Sequence, residues 1–271
     1  MKTFRSVLID IDGVLSLADS PIPGSIEAVS MLRRHGAGIR LITNTTRKTR
    51  SEIVHRLRTL GFDIETHEVI TGALAARRIL LTRGLRPYLL IHPGLLPDFS
   101  GIATENPNAV VVGDAADGFS YQALNAAFRI LVEQQDAPLI ALANNRYFRA
   151  ADGLCLDAGP YVAALEYASK TRAQVTGKPA EAIFRTALDE LASAPGDAMM
   201  IGDDIEGDIG GARALGLRTV LVRTGKYRES DENHPLIRPD AVADDFYRAV
   251  VDFVCPCLVG PASGDGAAVS N

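Results

Sequence analysis

The sequence predicts an α/β fold: a doubly wound parallel sheet with a second, smaller α/β module inserted into it. Three observations lead there. Short apolar runs of strand length alternate with amphipathic helical patterns along the chain. Over residues 83–172 the texture changes, and Pro-, Gly- and Asn-bearing turns crowd between the strands. Polar side chains recur where apolar runs end or helices begin, which is where open parallel sheets gather their ligands. At 271 residues, 47% of them hydrophobic, the chain can build one large α/β domain or two modest ones.

The first strand signal is Val7-Leu8-Ile9, ending in Asp10-Ile11-Asp12-Gly13. Pro23-Gly24-Ser25 starts a helix carrying Ile26, Val29, Met31 and Leu32, and His35-Gly36 closes it. Strand Ile39–Ile42 ends in Thr43-Asn44-Thr45-Thr46. The next helix has Ile53, Val54, Leu57 and Leu60 on one side and stops at Gly61. Strand Val69–Thr71 and helix Ala73–Leu81 complete a first block, residues 1–82. In the middle, Tyr88–Ile91, Ala109–Val112 and Leu139–Leu142 read as strands. Helix Tyr121 to about Glu133 is capped by Ser120, and helix Tyr161–Ala168 is the return limb. The first style resumes over residues 173–255. Val175–Pro179 leads into helix Glu181–Leu191, and strand Ala198–Ile201 runs into Gly202-Asp203-Asp204. A helix to Leu215 stops at Gly216, strand Thr219–Val222 follows, and helix Tyr247–Val254 closes the fold. The Gly/Ala/Ser-rich tail, residues 256–271, is expected to be disordered.

Composition narrows the function. Charges are well mixed with a net charge of −5, which leaves no nucleic-acid footprint. No apolar run approaches the roughly 20 residues of a membrane span. The three cysteines and the absence of a signal-peptide pattern favour a reduced, cytoplasmic setting. Five scattered histidines show no zinc-ligand spacing, and Gly210, Gly211 and Gly216 form no dinucleotide fingerprint.

Asp10 and Asp12 are two residues apart, so on an extended chain both face one way. Two like charges at the end of a buried strand are costly unless a cation or a shifted pKa compensates. That suits a Mg²⁺ site with one carboxylate as nucleophile and the other as proton shuttle. A calcium loop fits poorly, because Val14 and Leu15 fill its fifth and sixth positions. Thr43 and Asn44 offer a hydroxyl and an amide to a phosphoryl oxygen, or serve as turn formers. Lys178, between Gly177 and Pro179, is a phosphate-binding cation or a surface lysine. Asp203, Asp204 and Asp208 are metal-site residues or helix-capping acids. Asp114, in Gly113–Gly118, reads as part of a turn ahead of the Ser120 cap. The loop Asn144–Tyr147, with Asn145 and Arg146, reads as a specificity loop or a plain turn.

Together, D-I-D-G-V, T-N, G-K-P and G-D-D-x-x-x-D resemble the four motifs of the haloacid dehalogenase (HAD) superfamily of phosphotransferases. Their spacing resembles its class II branch, with a large α/β cap between the second and third motifs. Phe119–Gln122, Leu156–Tyr161, Gly202–Asp208 and Arg223–Arg228 resemble one subgroup, the phospholysine phosphohistidine inorganic pyrophosphate phosphatases and their relatives. The likeness runs from Thr3 to about Val254. It implies a Rossmann-like core over 1–82 and 173–255 with a cap over 83–172. It implies Asp10 as the nucleophile that forms an aspartyl-phosphate and Asp12 as general acid/base. Mg²⁺ is then held by Asp10, the backbone carbonyl of Asp12, and Asp203. Thr43, Asn44 and Lys178 bind phosphoryl oxygens, Asp208 orients Lys178 or a water on the metal, and Asp204 supports them or caps a helix. The implied substrates are small phosphorylated molecules, with pyrophosphate and P–N bonded compounds first. Nucleotides, phosphoglycolate or pyridoxal phosphate are the monoester alternatives, an alcohol acceptor would make a phosphotransferase, and a non-catalytic phospholigand binder is the other class. The resemblance also implies a homodimer.

Overall fold

The computed structural model describes residues 4–134, 136–150 and 153–258. The chain opens with β1 (Ser6–Asp10) and a short ribbon, β2 (Ser16–Leu17) and β3 (Ser20–Pro21), then α1 (Ser25–Arg34). It continues through β4 (Gly38–Thr43), α2 (Arg50–Thr59), β5 (Val69–Thr71) and α3 (Gly72–Arg83). Thr71 caps α3 by accepting from Leu74 N at 3.1 Å, and Gly84 ends it at φ +62°. Strands β6 (Pro87–Leu90) and β7 (Ala109–Val112) lead to α4 (Tyr121–Glu133), which Ser120 caps through Ala123 N at 3.1 Å. Next come β8 (Leu139–Ala141), β9 (Tyr147–Ala150), β10 (Gly153–Leu156), α5 (Ala158–Ser169) and β11 (Ala173–Val175). The last stretch holds α6 (Glu181–Glu190), β12 (Ala198–Gly202), α7 (Gly211–Ala214), β13 (Arg218–Val222), β14 (Ala241–Ala243) and α8 (Phe246–Ala249).

The chain forms two compact units, and it passes from one to the other inside β4, between Arg40 and Leu41. The first unit gathers the described residues of Met1–Arg40, Leu60–Asp63 and Leu188–Asn271. In it β14, β13, β12 and β1 lie side by side in that order, all parallel, with Ser6 opposite Ala198 and Ile9 opposite Ile201. Every residue of β1 and β12 is buried. That is why both read as unbroken apolar runs rather than alternating ones. Each buried aliphatic side chain there contributes about 1.5–3 kcal/mol.

The second unit holds Leu41–Thr59 and Ile64–Ala187. The end of β4 pairs in parallel with β5, and a four-stranded parallel sheet runs β11-β8-β7-β6. The pleat of β7 sorts its side chains. Val110 and Val112 pack with Ala127 and Leu131 of α4 and with Val162 and Leu165 of α5. Ala109 and Val111 pack on the opposite face with Ala73, Ala76 and Leu80 of α3 and with Leu95 and Phe99. β9 and β10 form a separate antiparallel ribbon with Phe148 opposite Cys155.

The structure corrects the expected elements at a few points. The β2–β3 and β9–β10 ribbons, β11 and β14 were not foreseen: they lack the fully buried aliphatic runs that mark the equally short β7 and β8. Helix α5 starts at Ala158 rather than Tyr161, since Asp157 caps it by accepting from Ala158 N at 2.7 Å. The helix expected up to Leu215 is a π-helical turn, Ile205–Gly210, followed by the single turn α7. The one expected over Tyr247–Val254 is α8 followed by a second π turn, Val250–Val254. In the tail, Cys255–Cys257 form a 3₁₀ turn whose Cys257 carbonyl accepts from Phe4 N, and residues 259–271 lie outside the described residues. No helix among the described residues is long and apolar enough to cross a membrane.

Candidate active site

In the first unit, Asp10 ends β1 and Asp203 follows directly on β12, so the two neighbouring parallel strands deliver both carboxylates to one end of the sheet. Asp208 joins them from the π turn Ile205–Gly210. One carboxylate oxygen from each of the three lies within 4.8 Å of the others, and all three residues are buried. The π turn is the local cause. Ile209 N reaches back to Asp204 O at 3.2 Å, and this wider turn brings Asp208 around so that its Oδ2 accepts from Asp204 N at 3.2 Å. Asp204 caps that turn, taking Glu206 N at 3.1 Å and Gly207 N at 2.8 Å, and pairs with the exposed Lys226 ammonium at 3.0 Å. Asp12 lies in the turn after β1 with its side chain exposed, bridged to Ser16.

Asp203 is the most confined of these groups. Its Oδ2 accepts from Lys226 N at 2.7 Å. Two glycines press their backbones against the same carboxylate: a Cβ built on Gly13 or on Gly225 would fall on Asp203 Oδ2. Thr224 fastens that contact by donating its hydroxyl to the Gly13 carbonyl. Burial, then the charges of Asp10 and Asp208, push the Asp203 carboxyl from 3.8 up to about 8, against the restraining Lys226 amide. Its Oδ1 is buried with no hydrogen-bond partner among the described residues. Three converging, mutually repelling carboxylates with an unsatisfied buried oxygen fit a hard divalent cation, which takes oxygen ligands and favours their ionised form.

Gly13 and Gly225 sit at φ +93° and +60°, so alanine there meets both left-handed strain and the Asp203 oxygen. Gly36, at φ +72° with open space around it, isolates the strain alone. We expect Gly36→Ala to lose about 1–2 kcal/mol. Gly13→Ala and Gly225→Ala should lose more and should also lose any rise in melting temperature that a divalent cation gives the wild type, measured by scanning fluorimetry.

In the second unit, Thr43 ends β4 opposite Thr71 and is buried, its Oγ1 accepting from Thr45 N at 3.1 Å. Asn44 and Lys178 are tied reciprocally. The Asn44 amide donates to Lys178 O at 2.9 Å, and its Oδ1 accepts from Lys178 N at 2.7 Å. Gly177 is required beside them, because a Cβ would meet Asn44 Oδ1 at 2.7 Å and also strike Leu142 O. Lys178 is buried and its ammonium reaches Ile42 O at 3.4 Å, which removes the surface-lysine alternative. The loop with Asn145 and Arg146 is exposed yet anchored. Asn145 donates to Asp157 Oδ2 at 3.0 Å, its carbonyl accepts from Gly159 N at 3.0 Å, and Arg146 O accepts from Asp157 N at 3.3 Å.

Sequence reasoning gave no role to Thr224, Gly225 and Lys226, although they follow the carboxyl end of β13, the position that singled out the other motifs. Nor did it notice Arg47. That arginine grips Asp114, a buried carboxylate inside what the sequence marks as an ordinary turn.

Two family models match: haloacid dehalogenase-like hydrolase over residues 7–102 and HAD-hydrolase-like over residues 175–249. The human phospholysine phosphohistidine inorganic pyrophosphate phosphatase is 48% identical over 250 residues, covering 91% of this chain and 93% of that protein. A p-nitrophenyl phosphatase from Archaeoglobus fulgidus superposes with a TM-score of 0.84 at 28% identity, covering 92% of this chain and 98% of that one. A glycerol phosphate phosphatase from Mycobacterium tuberculosis in complex with magnesium superposes with a TM-score of 0.80 at 26% identity, covering 97% and 82%. Strand order, carboxylate placement and these likenesses agree: the chain belongs to the haloacid dehalogenase-like hydrolases.

Proposed function

We propose that this protein is a Mg²⁺-dependent phosphohydrolase that works through an aspartyl-phosphate on Asp10. Its substrates are small phosphorylated molecules, with pyrophosphate and P–N bonded compounds first among them. The observation that carries the reading is the buried meeting of Asp10, Asp203 and Asp208 at the carboxyl ends of β1 and β12. Asp10 and Asp203, with the Asp12 carbonyl, would hold Mg²⁺, and the closeness of Asp208 supports a place for it in the same set. Bound there, the cation offsets the repulsion between nucleophile and phosphate dianion. An Asp10 oxygen attacks phosphorus, and the bond to the leaving group breaks as Asp12 gives that group a proton. Asp12, exposed and so able to exchange protons with solvent, then takes a proton from water. That water attacks phosphorus, the Asp10–phosphorus bond breaks, and phosphate departs. Thr43, the Asn44 amide and Lys178 bind the equatorial oxygens where charge accumulates. The Asn44–Lys178 tie holds two of these groups to each other. Residues 83–172 act as a cap, and Asn145 and Arg146 meet the leaving group. Family likeness further supports a homodimer, and the cysteine usage supports a cytoplasmic setting.

Phosphate release with Mg²⁺ from imidodiphosphate, pyrophosphate, phosphoramidate, p-nitrophenyl phosphate, phosphoglycolate, pyridoxal phosphate and nucleoside monophosphates tests this. We expect Asp10-dependent release, strongest from imidodiphosphate or pyrophosphate. A monoester preference would keep the chemistry and replace the substrate class. No release from any of them, with Mg²⁺-dependent binding retained, would make the protein a phospholigand binder.

A further inference from the structure

Arg47 stands three residues beyond Asn44, on the segment between the Thr43-Asn44 turn and α2, and it faces the ribbon β9–β10 of the same unit. Its guanidinium makes a fork on Asp114, Nε to Oδ2 at 2.6 Å and Nη2 to Oδ1 at 3.1 Å. Asp114 is buried and held from two more sides: its Oδ1 also accepts from Ala116 N at 3.0 Å, and its own N–H meets Thr46 Oγ1 at 3.4 Å. Among the described residues, the donors to that carboxylate are thus a backbone amide and the fork. The Arg47 Cζ lies over the ring of Phe148, in β9, 4.9 Å from its centre, so the arginine is gripped between an ion pair and an aromatic face. The charge on Arg47 is further favoured by Asp114 first and by Asp157 at a distance. Asp157 in turn receives the Asn145 amide and caps α5, which anchors the other end of the ribbon.

A bare two-stranded ribbon is marginal by itself. This one packs its Phe148 on a residue contributed by the phosphoryl-binding segment. The geometry points to Arg47 as a positioning residue: through the fork on Asp114 and the cation–π contact with Phe148, it sets where the ribbon and the Asn145–Arg146 loop stand relative to the Thr43-Asn44 turn. It thereby sets selectivity for the leaving group. The inference rests on the proposed role of that loop at the leaving group, and it deepens that reading by naming what orients the loop.

Arg47→Lys keeps the charge and loses the fork; Asp114→Asn keeps the shape and loses the ion pair. We expect each to raise KM for p-nitrophenyl phosphate about tenfold, the scale of one charge-assisted pair, with kcat changed less than about twofold. Phosphoramidate, whose leaving group is only ammonia, should keep its KM. The double variant should be no worse than either single one, because both remove the same bond. Phe148→Leu, which spares the ion pair, should shift KM in the same direction by a smaller factor. A second readout needs no turnover: amide exchange over Tyr147–Ala150 should rise in Arg47→Lys while α4 and β7 stay protected. Unchanged exchange in the ribbon, or an equal KM rise for phosphoramidate, would overturn the positioning role whatever the protein hydrolyses. A ribbon that loosens while KM for p-nitrophenyl phosphate holds would show that the clamp is real and that the loop does not select the leaving group, which also overturns the inference.

Discussion

Asp10→Asn removes phosphate release by about 10⁴-fold or more, the scale seen when a nucleophile is deleted from a site that keeps its other parts. The amide is a close match in shape, and its oxygen can still accept from Ile11 N, which meets Asp10 Oδ1 at 2.8 Å. What it lacks is the anionic oxygen that, in the proposed mechanism, bonds to phosphorus. Stability should move the other way. Asp10 is buried beside Asp203 and Asp208, so removing its charge relieves like-charge repulsion and the metal-free variant should melt no lower than wild type. Single-turnover phosphate release and a melting curve on the same preparation check both halves. Full activity in the variant would remove the nucleophile assignment.

The metal-free protein loses stability as pH rises. Burial, with the charges of Asp10 and Asp208, pushes the Asp203 carboxyl up to about 8 in the folded chain, against an ordinary 3.8. Between those values the folded protein holds a proton that the unfolded chain has released, so unfolding sheds a proton and stability falls with increasing pH. The loss begins above about pH 4 and is complete once the folded carboxyl has ionised, past about pH 8. A bound cation reverses the preference by favouring the ionised group. Melting temperatures in EDTA should therefore drop from pH 5 to pH 8, drop less in Asp203→Asn, and be restored by saturating Mg²⁺ at pH 8. A melting temperature that climbs over this interval in EDTA, equally in wild type and variant, would refute the crowded-carboxylate account.

Much of this was legible without coordinates, for reasons that can be named. Strands β1, β7 and β12 are buried on both faces, so they appear as continuous apolar runs. Helices α1 and α4 carry their boundaries in Pro23-Gly24 and Ser120. The four motifs were legible because a parallel sheet can use chemistry only at its carboxyl ends. What stayed hidden depends on tertiary partners. The inward turn of Asp208 needs a π turn that no periodicity encodes. The demand for glycine at positions 13 and 225 comes from Asp203, far away in sequence from either. Asp114 looks like an ordinary turn former until Arg47 is placed against it.

The discontinuity of the first unit shapes how the protein is made. Ser6 pairs with Ala198, so the strand bearing Asp10 leaves the ribosome long before the strand that completes it. At 5–20 residues per second, roughly 10–40 s of translation separate the two. In that interval Leu41–Thr59 and Ile64–Ala187 are wholly synthesised and free to fold, while Val7, Leu8 and Ile9 wait as an uncovered sticky edge. The strand bearing Asp10 thus lacks its β12 neighbour until Leu188 onward emerges. Codon or temperature changes that slow the middle of the message should cost soluble yield before they cost anything in the finished enzyme.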